Sequence, residues 1–385
     1  MKNAFLSLFF FIYTIAFASC SSSENATSAD SLQAIADKVW AFSQSHPDGF
    51  TLDVRSMTEP TEGIAVSYDL AADHVDREGL APIVAHALRH DGYVGGWRNP
   101  ADGKYYFDST RLVDEDSIDV AIAFGRANRQ HAIYVLSTAT NIDLGEFTAI
   151  ERIKERGTMQ LGTTGDYRPL TYREPATGVY WGYDIDVAEA IAQRLSVSTT
   201  YVPTSWPTLT ADVTATPQLF DFAMGGITIT DKRLETMLMS DSYLANGKTI
   251  LCRTEDIARF ASLSDIDQPD VRVMVNPGGL NEKFARDSLK HATIIVFEQN
   301  EEIPNRIAEG DADVMITEIT EAPWYVRNDS RLAAPLLHKP FTHGHIGALM
   351  QKGQEDLQHL INRVILKLKS DGTLQQLCEK YGLSY

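Results

Sequence analysis

The sequence is poor in cysteine and in basic residues, and each shortage excludes a class of protein. Only three cysteines occur in 385 residues. Cys252 and Cys378 are far apart, without the close spacing of metal ligands, so two separate buried thiols are expected, although an oxidising compartment leaves a disulfide open. Lysine and arginine total 34 against 52 acidic residues, a formal net charge of −18. This balance argues against nucleic acid or an anionic membrane surface as a partner, because both attract basic patches.

Long hydrophobic runs are also missing. The apolar run at residues 4–17 is too short to span a membrane. It follows Lys2 and precedes Ala-Ser-Cys, an arrangement typical of a secretory signal. The end of this segment resembles a bacterial lipoprotein processing site at which Cys20 would be lipidated, with ordinary cleavage after Ala18 as the alternative. Either reading predicts an extracytoplasmic, periplasmic protein that contacts the membrane only through a lipid anchor at Cys20.

The length indicates more than one folding unit. The predicted division is a signal peptide at 1–20, a polar tether at 21–30, a small α+β domain at 31–145, a charged linker at 146–158 and an α/β domain at 159–385. The first domain is predicted to contain helices at 32–45, 77–90 and 117–128, strands at 49–54, 63–68 and 131–137, and a hairpin around 99–103. Its residues predict no function. The linker is expected to be a solvated helix that few contacts cross, which would let the second domain work alone.

In the second domain, short apolar strands alternate with amphipathic helices, which predicts α/β layers with a mostly parallel sheet. Ligands of such sheets bind at the carboxyl ends of strands. Four polar or aromatic residues lie just past predicted strand ends, namely Tyr167, Trp206, Thr228 and Arg233. They are therefore candidates for a ligand site.

A strand at 271–275 runs through Asn-Pro-Gly-Gly into a helical pattern. This arrangement presents backbone N–H groups at a helix N-terminus, together with the amide of Asn276 and the bare backbone of Gly279, and it suits an anion. A plain Pro-Gly-Gly turn is the alternative.

These motifs resemble a known family. The runs at 165–173, 204–209 and 225–233 resemble the type II periplasmic solute-binding fold of amino-acid-binding proteins. The run at 276–286, with 247–249 and 317–322, resembles cyclohexadienyl dehydratases. Those periplasmic enzymes convert prephenate to phenylpyruvate or arogenate to phenylalanine, and the resemblance implies the same activity without a metal or organic cofactor.

The resemblance also implies an architecture. A small-molecule substrate would bind in a cleft between lobe one, at 159–250 and 350–385, and lobe two, at 255–340. Two strands would cross between the lobes near 250–253 and 343–350.

Site residues follow by matching the family's motifs. Glu321 would be the general acid, with the alternative that it only caps the following helix. Arg233 and Lys248 would bind carboxylates, although Lys248 could instead be a lysine that merely flanks the hinge. The remaining expected binding residues are Tyr167, Trp206, Thr228, Asn276 and Gly279. Gly225 and Leu280 depart from the family pattern, which puts hydrogen bonding beside the substrate ring in doubt.

Two functions of different classes remain open. The first is a carbon–oxygen lyase acting on prephenate or arogenate. The second is a non-catalytic amino-acid-binding lipoprotein that serves an importer or a sensor. Glu321 and Lys248 together favour the enzyme, because prephenate has two carboxylates and an amino acid has one. An oligomer is compatible with either function.

Overall fold

The structure is a computed structural model that describes residues 29–70, 76–145 and 147–385. The predicted signal peptide and Cys20 lie outside the described residues. The helices are α1 (Ala29–Ser43), α2 (Leu80–Arg89), α3 (Ile118–Ala127), α4 (Ala149–Arg156), α5 (Tyr183–Leu195), α6 (Leu209–Val213), α7 (Asp231–Thr236), α8 (Leu263–Ile266), α9 (Leu280–Ser288), α10 (Ile303–Glu309), α11 (Ala322–Asn328), α12 (Glu355–Ser370) and α13 (Thr373–Tyr381).

The strands fall into an N-terminal group and two lobes. The N-terminal strands are β1 (Phe50–Asp53), β2 (Ile64–Ser67), β3 (Tyr93–Arg98), β4 (Tyr105–Val113), β5 (Ala132–Val135) and β6 (Thr140–Asp143). The others are β7 (Thr158–Thr163), β8 (Asp166–Tyr167), β9 (Thr171–Arg173), β10 (Tyr180–Trp181), β11 (Ser198–Pro203), β12 (Phe222–Ala223), β13 (Met237–Met239), β14 (Leu244–Asn246), β15 (Lys248–Arg253), β16 (Arg272–Val275), β17 (Thr293–Val296), β18 (Val314–Glu318), β19 (Leu332–Ala333), β20 (Gly344–Ile346) and β21 (Leu349–Gln351).

The N-terminal domain is an antiparallel sheet in the order β1-β3-β4-β2-β5-β6, against which α1, α2 and α3 pack. The predicted hairpin is confirmed as β3 and β4. Strand β6 was not predicted, because only Ile142 of its four residues is buried and the segment lacks an apolar alternation.

The segment predicted as a solvated linker is packed instead. Thr148 and Glu151 form a capping box that begins α4. Ile150 and Ile153, three positions apart, share one helix face and are buried in a core that includes residues of both domains, while the charged residues occupy the other face. The prediction that this segment is a solvent-exposed linker is therefore wrong. Its many charged residues made the narrow apolar face of the helix difficult to recognise in the sequence.

Polar contacts also join α4 and the N-terminal domain to α12. The Ile150 backbone N–H donates to Asp356 at 2.7 Å. His359 Nε2 lies 3.0 Å from the Glu115 carbonyl oxygen, and Arg363 Nε donates to Asp116 at 2.7 Å. The expectation that few contacts cross this boundary is accordingly wrong.

The second domain confirms the predicted two-lobed α/β fold. Lobe one contains a sheet in the order β11-β7-β12-β21-β13, in which β7 runs parallel to β11 and β12. Lobe two contains a sheet in the order β17-β16-β18-β15-β19. The last two helices, α12 and α13, return to lobe one and pack against α5.

Two strands connect the lobes, β14 and β20, which pair antiparallel with Leu244 opposite Ile346. The second crossing falls within the predicted range. The first was predicted at 250–253 and lies earlier, because β15 pairs with β18 throughout Lys248–Cys252 and so belongs to the sheet of lobe two. Lobe one therefore ends at Asn246 and not at residue 250.

Cys252 lies in β15 and Cys378 in α13, and both are free and buried, which confirms two separate thiols. Among the described helices, none combines the length and apolar character needed to cross a membrane.

Candidate functional site

The structure brings all seven predicted binding residues to one cavity between the lobes. They are Tyr167, Trp206, Thr228, Arg233, Lys248, Asn276 and Gly279. The remaining lining residues are Gly226, Leu280, Asn281, Asn300 and Glu318. Glu321 is not part of this lining.

Glycine shapes the lobe-one wall. Gly226 has φ +78°, and a Cβ there would lie 2.2 Å from the ring of Tyr167, so only glycine lets this ring lie against the backbone. The Gly226 N–H donates to Asp184, whose pKa burial raises to about 7. The ring of Trp206 meets Tyr167 edge-on at 5.7 Å. The two aromatic side chains thus form a fixed wall.

Arg233 supplies a cation beside that wall. It lies in the first turn of α7, where Thr230 caps the helix, and its guanidinium donates to the Thr228 carbonyl oxygen. Burial lowers the pKa of Arg233, and the negative charge of Glu318 partly offsets this. Within the described residues no carboxylate forms an ion pair with Arg233. Its remaining N–H groups suit a ligand carboxylate.

On the lobe-two side, Lys248 is held by Glu318 and by Asn281. Its ammonium forms an ion pair with Glu318 and donates to Asn281 Oδ1 at 2.6 Å. Tyr167 of lobe one also donates its hydroxyl hydrogen to Glu318, so this carboxylate joins the two lobes. Only 7% of Lys248 and 5% of Glu318 are exposed.

Glu321 is fully buried and follows the lining residue Glu318 by three positions. It occupies the N-cap position of α11 but its side chain does not cap the helix, which removes the simple capping explanation. One carboxyl oxygen accepts a hydrogen bond from Thr317, and the other has no hydrogen-bond partner. A buried polar atom without a partner is costly, so this carboxyl calls for an explanation beyond stability.

The two glutamates differ in ionisation. Burial, reinforced by the charges of Glu318 and other acidic neighbours, raises the pKa of Glu321 well above its usual value although Thr317 opposes the shift. Burial would also raise the pKa of Glu318, but the Lys248 ammonium and its hydrogen bonds outweigh burial and hold it below its usual value. The two environments therefore shift the pKa values in opposite directions, favouring the protonated form of Glu321 and the carboxylate form of Glu318. Environments that separate two pKa values in this way are typical of acid–base sites.

Three polar lining residues were missed from the sequence. Glu318 stands at the end of β18, and Asn281 follows the Pro-Gly-Gly turn, so both were within motifs already noted. No sequence motif pointed to Asn300, because it reaches the cavity from a 3₁₀ turn at Asn300–Glu302. Its amide donates to the Asp166 carbonyl oxygen of lobe one at 2.8 Å.

His343 and His345 in the second crossing are exposed. In the described parts of the chain, no group of three or more histidine, cysteine, aspartate or glutamate side chains is arranged to hold a metal ion.

Further contacts hold the lobes together around the cavity. Arg168 of lobe one and Glu301 of lobe two approach to 3.1 Å as an ion pair. Gly278 of lobe two, with φ +74°, lies against Pro207 of lobe one, where an added Cβ would come within 2.7 Å of the proline Cα. The cleft is therefore closed, and the glycine permits this approach.

We expect Gly278→Ala to disfavour closure, because the new methyl group would meet the Pro207 backbone. The closed population should fall at least about tenfold, equivalent to ~1.4 kcal/mol. Double electron–electron resonance between spin labels at the exposed positions Lys232 and Lys290 measures the distance between the lobes. Gly353→Ala is the matched control, since Gly353 has φ +86° and open space around it. Equal distance distributions in the two variants would contradict the prediction.

The fold and the cleft are those of a two-lobed solute-binding protein. The profile of the bacterial extracellular solute-binding proteins, family 3, matches residues 159–384, and the chain belongs to this family. Membership supports an extracytoplasmic location and a small-molecule ligand.

Relatives of known function include an enzyme and transport proteins. Cyclohexadienyl dehydratase of Pseudomonas aeruginosa is 38% identical over 232 residues, which cover 60% of this chain and 85% of that protein. The L-cystine-binding protein of Escherichia coli K12 is 24% identical over 232 residues, with coverages of 60% and 85%. An ancestral amino acid-binding protein that is a precursor of cyclohexadienyl dehydratase has a solved structure that matches with a TM-score of 0.56 and 33% identity, covering 61% of this chain and 99% of that one. These matches confirm the resemblance of the second domain to the dehydratases and their fold.

Proposed function

We propose that this protein is an extracytoplasmic cyclohexadienyl dehydratase. It removes water and CO2 from arogenate or prephenate, giving phenylalanine or phenylpyruvate. The observation that carries the proposal is the pair Glu318 and Glu321, two buried carboxyl groups of which the first is ion-paired with Lys248 in the cavity wall and the second has one oxygen without a hydrogen-bond partner. The identity to the Pseudomonas aeruginosa enzyme supports it.

The cavity charges suit a substrate with two carboxylates. Arg233 and Lys248 are cationic, and Glu318 is anionic. Arogenate carries two carboxylates and one ammonium group, which is the complementary set. Prephenate has a keto group in place of the ammonium and leaves Glu318 without a ligand partner. We therefore propose arogenate as the preferred substrate.

In the reaction the ring carboxylate leaves as CO2, and the electron pair of its carbon–carbon bond enters the ring. The ring carbon–oxygen bond breaks at the same time, and the departing hydroxyl takes a proton from Glu321 and leaves as water. Because Glu321 does not line the cavity in this closed form, the proposal requires its carboxyl to turn towards the substrate hydroxyl when substrate binds. A neutral carboxylic acid is suited to this transfer, which typically contributes about 10²- to 10⁴-fold. Arg233 and Lys248 hold the carboxylates, and Tyr167 and Trp206 pack against the ring.

The direct test is to incubate the purified chain with each substrate. Phenylpyruvate from prephenate is read by ultraviolet absorbance at alkaline pH, and phenylalanine from arogenate by chromatography. We expect turnover of both and a larger kcat/KM for arogenate. Absence of both products would refute the dehydratase.

Arg233→Ala should raise KM about 10- to 100-fold, because it removes a charge-assisted hydrogen bond worth ~1.5–3 kcal/mol. Steady-state kinetics measures the change. Arg331→Ala removes a guanidinium whose side chain is 52% exposed on lobe two and should leave KM unchanged. If Arg233→Ala has the same KM as wild type, the substrate carboxylate does not bind at Arg233.

The second candidate is a non-catalytic amino-acid-binding protein. It is favoured by the absence of Glu321 from the cavity lining, and by Arg233 and Glu318, which could hold the carboxylate and ammonium of an amino acid. Calorimetry that detects a tightly bound amino acid in a chain without turnover would favour this reading. In either case we propose a periplasmic protein anchored by lipid at Cys20.

A further inference from the structure

Two side-chain atoms of the cavity wall are buried without a hydrogen-bond partner. They are the amide oxygen Oδ1 of Asn300 and the indole Nε1 of Trp206, and both residues are among the described residues that line the cavity. Burial raises the pKa of Asp166, and the side chains of Thr164 and Trp206 oppose the shift, so the indole N–H already faces a carboxylate. The Asn300 oxygen is left as the acceptor that calls for a partner, because an unpaired polar atom in a protein interior is costly.

A bond between the lobes fixes the orientation of the Asn300 amide. Its Nδ2 donates to the Asp166 carbonyl oxygen of lobe one at 2.8 Å, and only 4% of Asn300 is exposed. A carbonyl oxygen only accepts hydrogen bonds, so the amide atom that faces it must be the nitrogen, and Oδ1 points away from it. Arg168 and Glu301 form an ion pair across the same junction at 3.1 Å. The closed cleft therefore holds the amide in one orientation.

The chemistry of this oxygen restricts the substrate group that it can bind. An amide oxygen only accepts hydrogen bonds, so its partner must be a donor. The ionised carboxylates of arogenate and prephenate only accept, as does the keto group of prephenate. The ring hydroxyl is the donor that both substrates share. The ammonium of arogenate is a further donor, but the carboxylate of Glu318 in the same cavity suits a cation better than a neutral amide does.

Asn300 also lies on the side of the cavity that is near the proposed acid. Burial raises the pKa of Glu321, and after the charge of Glu318 the charges of Glu301 and Asp166 add to the shift. Glu301 follows Asn300 in the sequence, and Asp166 holds the Asn300 amide. The departing hydroxyl, which must meet Glu321, is therefore expected on this side of the cavity.

We propose that Asn300 Oδ1 binds the ring hydroxyl of the substrate by accepting its hydrogen. The inference rests on the proposed function, in which that hydroxyl leaves as water. With its hydrogen held by Asn300, the hydroxyl oxygen keeps its lone pairs for the proton of Glu321. As this proton arrives, the oxygen gains positive charge and its hydrogen bond to Asn300 becomes charge-assisted and stronger. The interaction therefore favours the transition state over the bound substrate and acts mainly on kcat.

The test replaces Asn300 by leucine, which has a similar size and no acceptor. kcat should fall at least about tenfold with prephenate and with arogenate alike, because both carry the hydroxyl, while KM changes less. Steady-state kinetics on the full chain measures both constants. Asn305→Leu is the matched control and should leave kcat unchanged, because it makes the same change at an exposed side chain of the same lobe, whose amide donates to Glu309.

A second variant, Asn300→Asp, separates the hydroxyl contact from the bond between the lobes. Aspartate keeps an acceptor oxygen but lacks the amide N–H that reaches the Asp166 carbonyl oxygen. Asn300→Asp should therefore keep a higher kcat than Asn300→Leu. Equal losses of kcat in the two variants would mean that Asn300 only fastens the lobes together, and would overturn the inference.

The remaining outcomes separate this inference from the proposed function. A wild-type chain that turns over neither substrate overturns both. An active wild type in which Asn300→Leu keeps its kcat overturns only the role of Asn300. A loss of kcat with arogenate alone would place the ammonium at Asn300 in place of the hydroxyl, and would also overturn the inference.

Discussion

Replacing Glu321 by glutamine is expected to abolish dehydration, because the amide keeps the shape of the side chain and has no acidic proton to give. kcat should fall about 10²- to 10⁴-fold, the usual contribution of a positioned general acid. Substrate binding should persist, since Arg233 and Lys248 would still hold the carboxylates. Glu255→Gln is the matched control, because it makes the same chemical change at a side chain that is 80% exposed. If Glu321→Gln keeps a tenth of the wild-type kcat, Glu321 is not the acid.

The same variant tests the buried acid without any substrate. The pKa of Glu321 is raised in the folded protein, so the native state retains a proton that the unfolded state loses as pH rises. The protonated carboxyl therefore stabilises the fold fully only below the unfolded pKa of about 4.3, and its contribution declines as pH rises towards the folded pKa. Relative to wild type, Glu321→Gln should become progressively more stable between pH 4 and pH 7. A constant difference in Tm across that range would show that Glu321 is not a raised acid.

Removing the N-terminal domain should strongly destabilise the two-lobed domain. The chain 148–385 would lose the partners of α12 and α4 and expose part of their shared core. Each large apolar side chain newly exposed costs about 1.5–3 kcal/mol, so uncovering only Ile150 and Leu360 would cost at least ~3 kcal/mol of a typical 5–15 kcal/mol. The midpoint of urea unfolding should fall accordingly.

Supplying the missing domain separately provides the control. Adding residues 29–147 as an independent chain should raise the urea midpoint of 148–385, because the contacts of Glu115 and Asp116 with α12 can re-form. An equal midpoint for the full chain and for 148–385 would contradict the prediction and restore the view that the domains are independent.

The periodicity of apolar residues was sufficient to predict most of the fold, because it reflects which face of a single helix or strand is buried. Helix α3, at Ile118–Ala127, agrees with the helix predicted at 117–128. The same periodicity was less informative where burial depends on which other strand or helix an element packs against. The apolar run of β15 suits a crossing strand or a sheet strand equally well, and only its pairing with β18 decides between them. In α4, two isoleucines among charged residues gave too weak a signal.

The candidate site divides in the same way. Six of the seven binding residues follow predicted strand ends or lie in a turn of recognisable composition, so local sequence was enough to propose them, whereas Lys248 was implied only by the resemblance to the dehydratases. The pairing of Arg168 with Glu301 joins positions that are remote in sequence and meet only when the lobes close. The lowered pKa of Glu318 depends on Lys248, which lies on another strand. Neither could be inferred without the fold.

The packing of α12 has a consequence for the order in which the chain folds. This helix is near the C-terminus, yet it completes the core of the N-terminal domain, and β21 just before it is an internal strand of the lobe-one sheet. During synthesis, the apolar surface of the first domain that packs against α12 therefore stays exposed until almost the entire chain has been made. Contacts so distant in sequence make folding slow and leave incomplete intermediates exposed to aggregation.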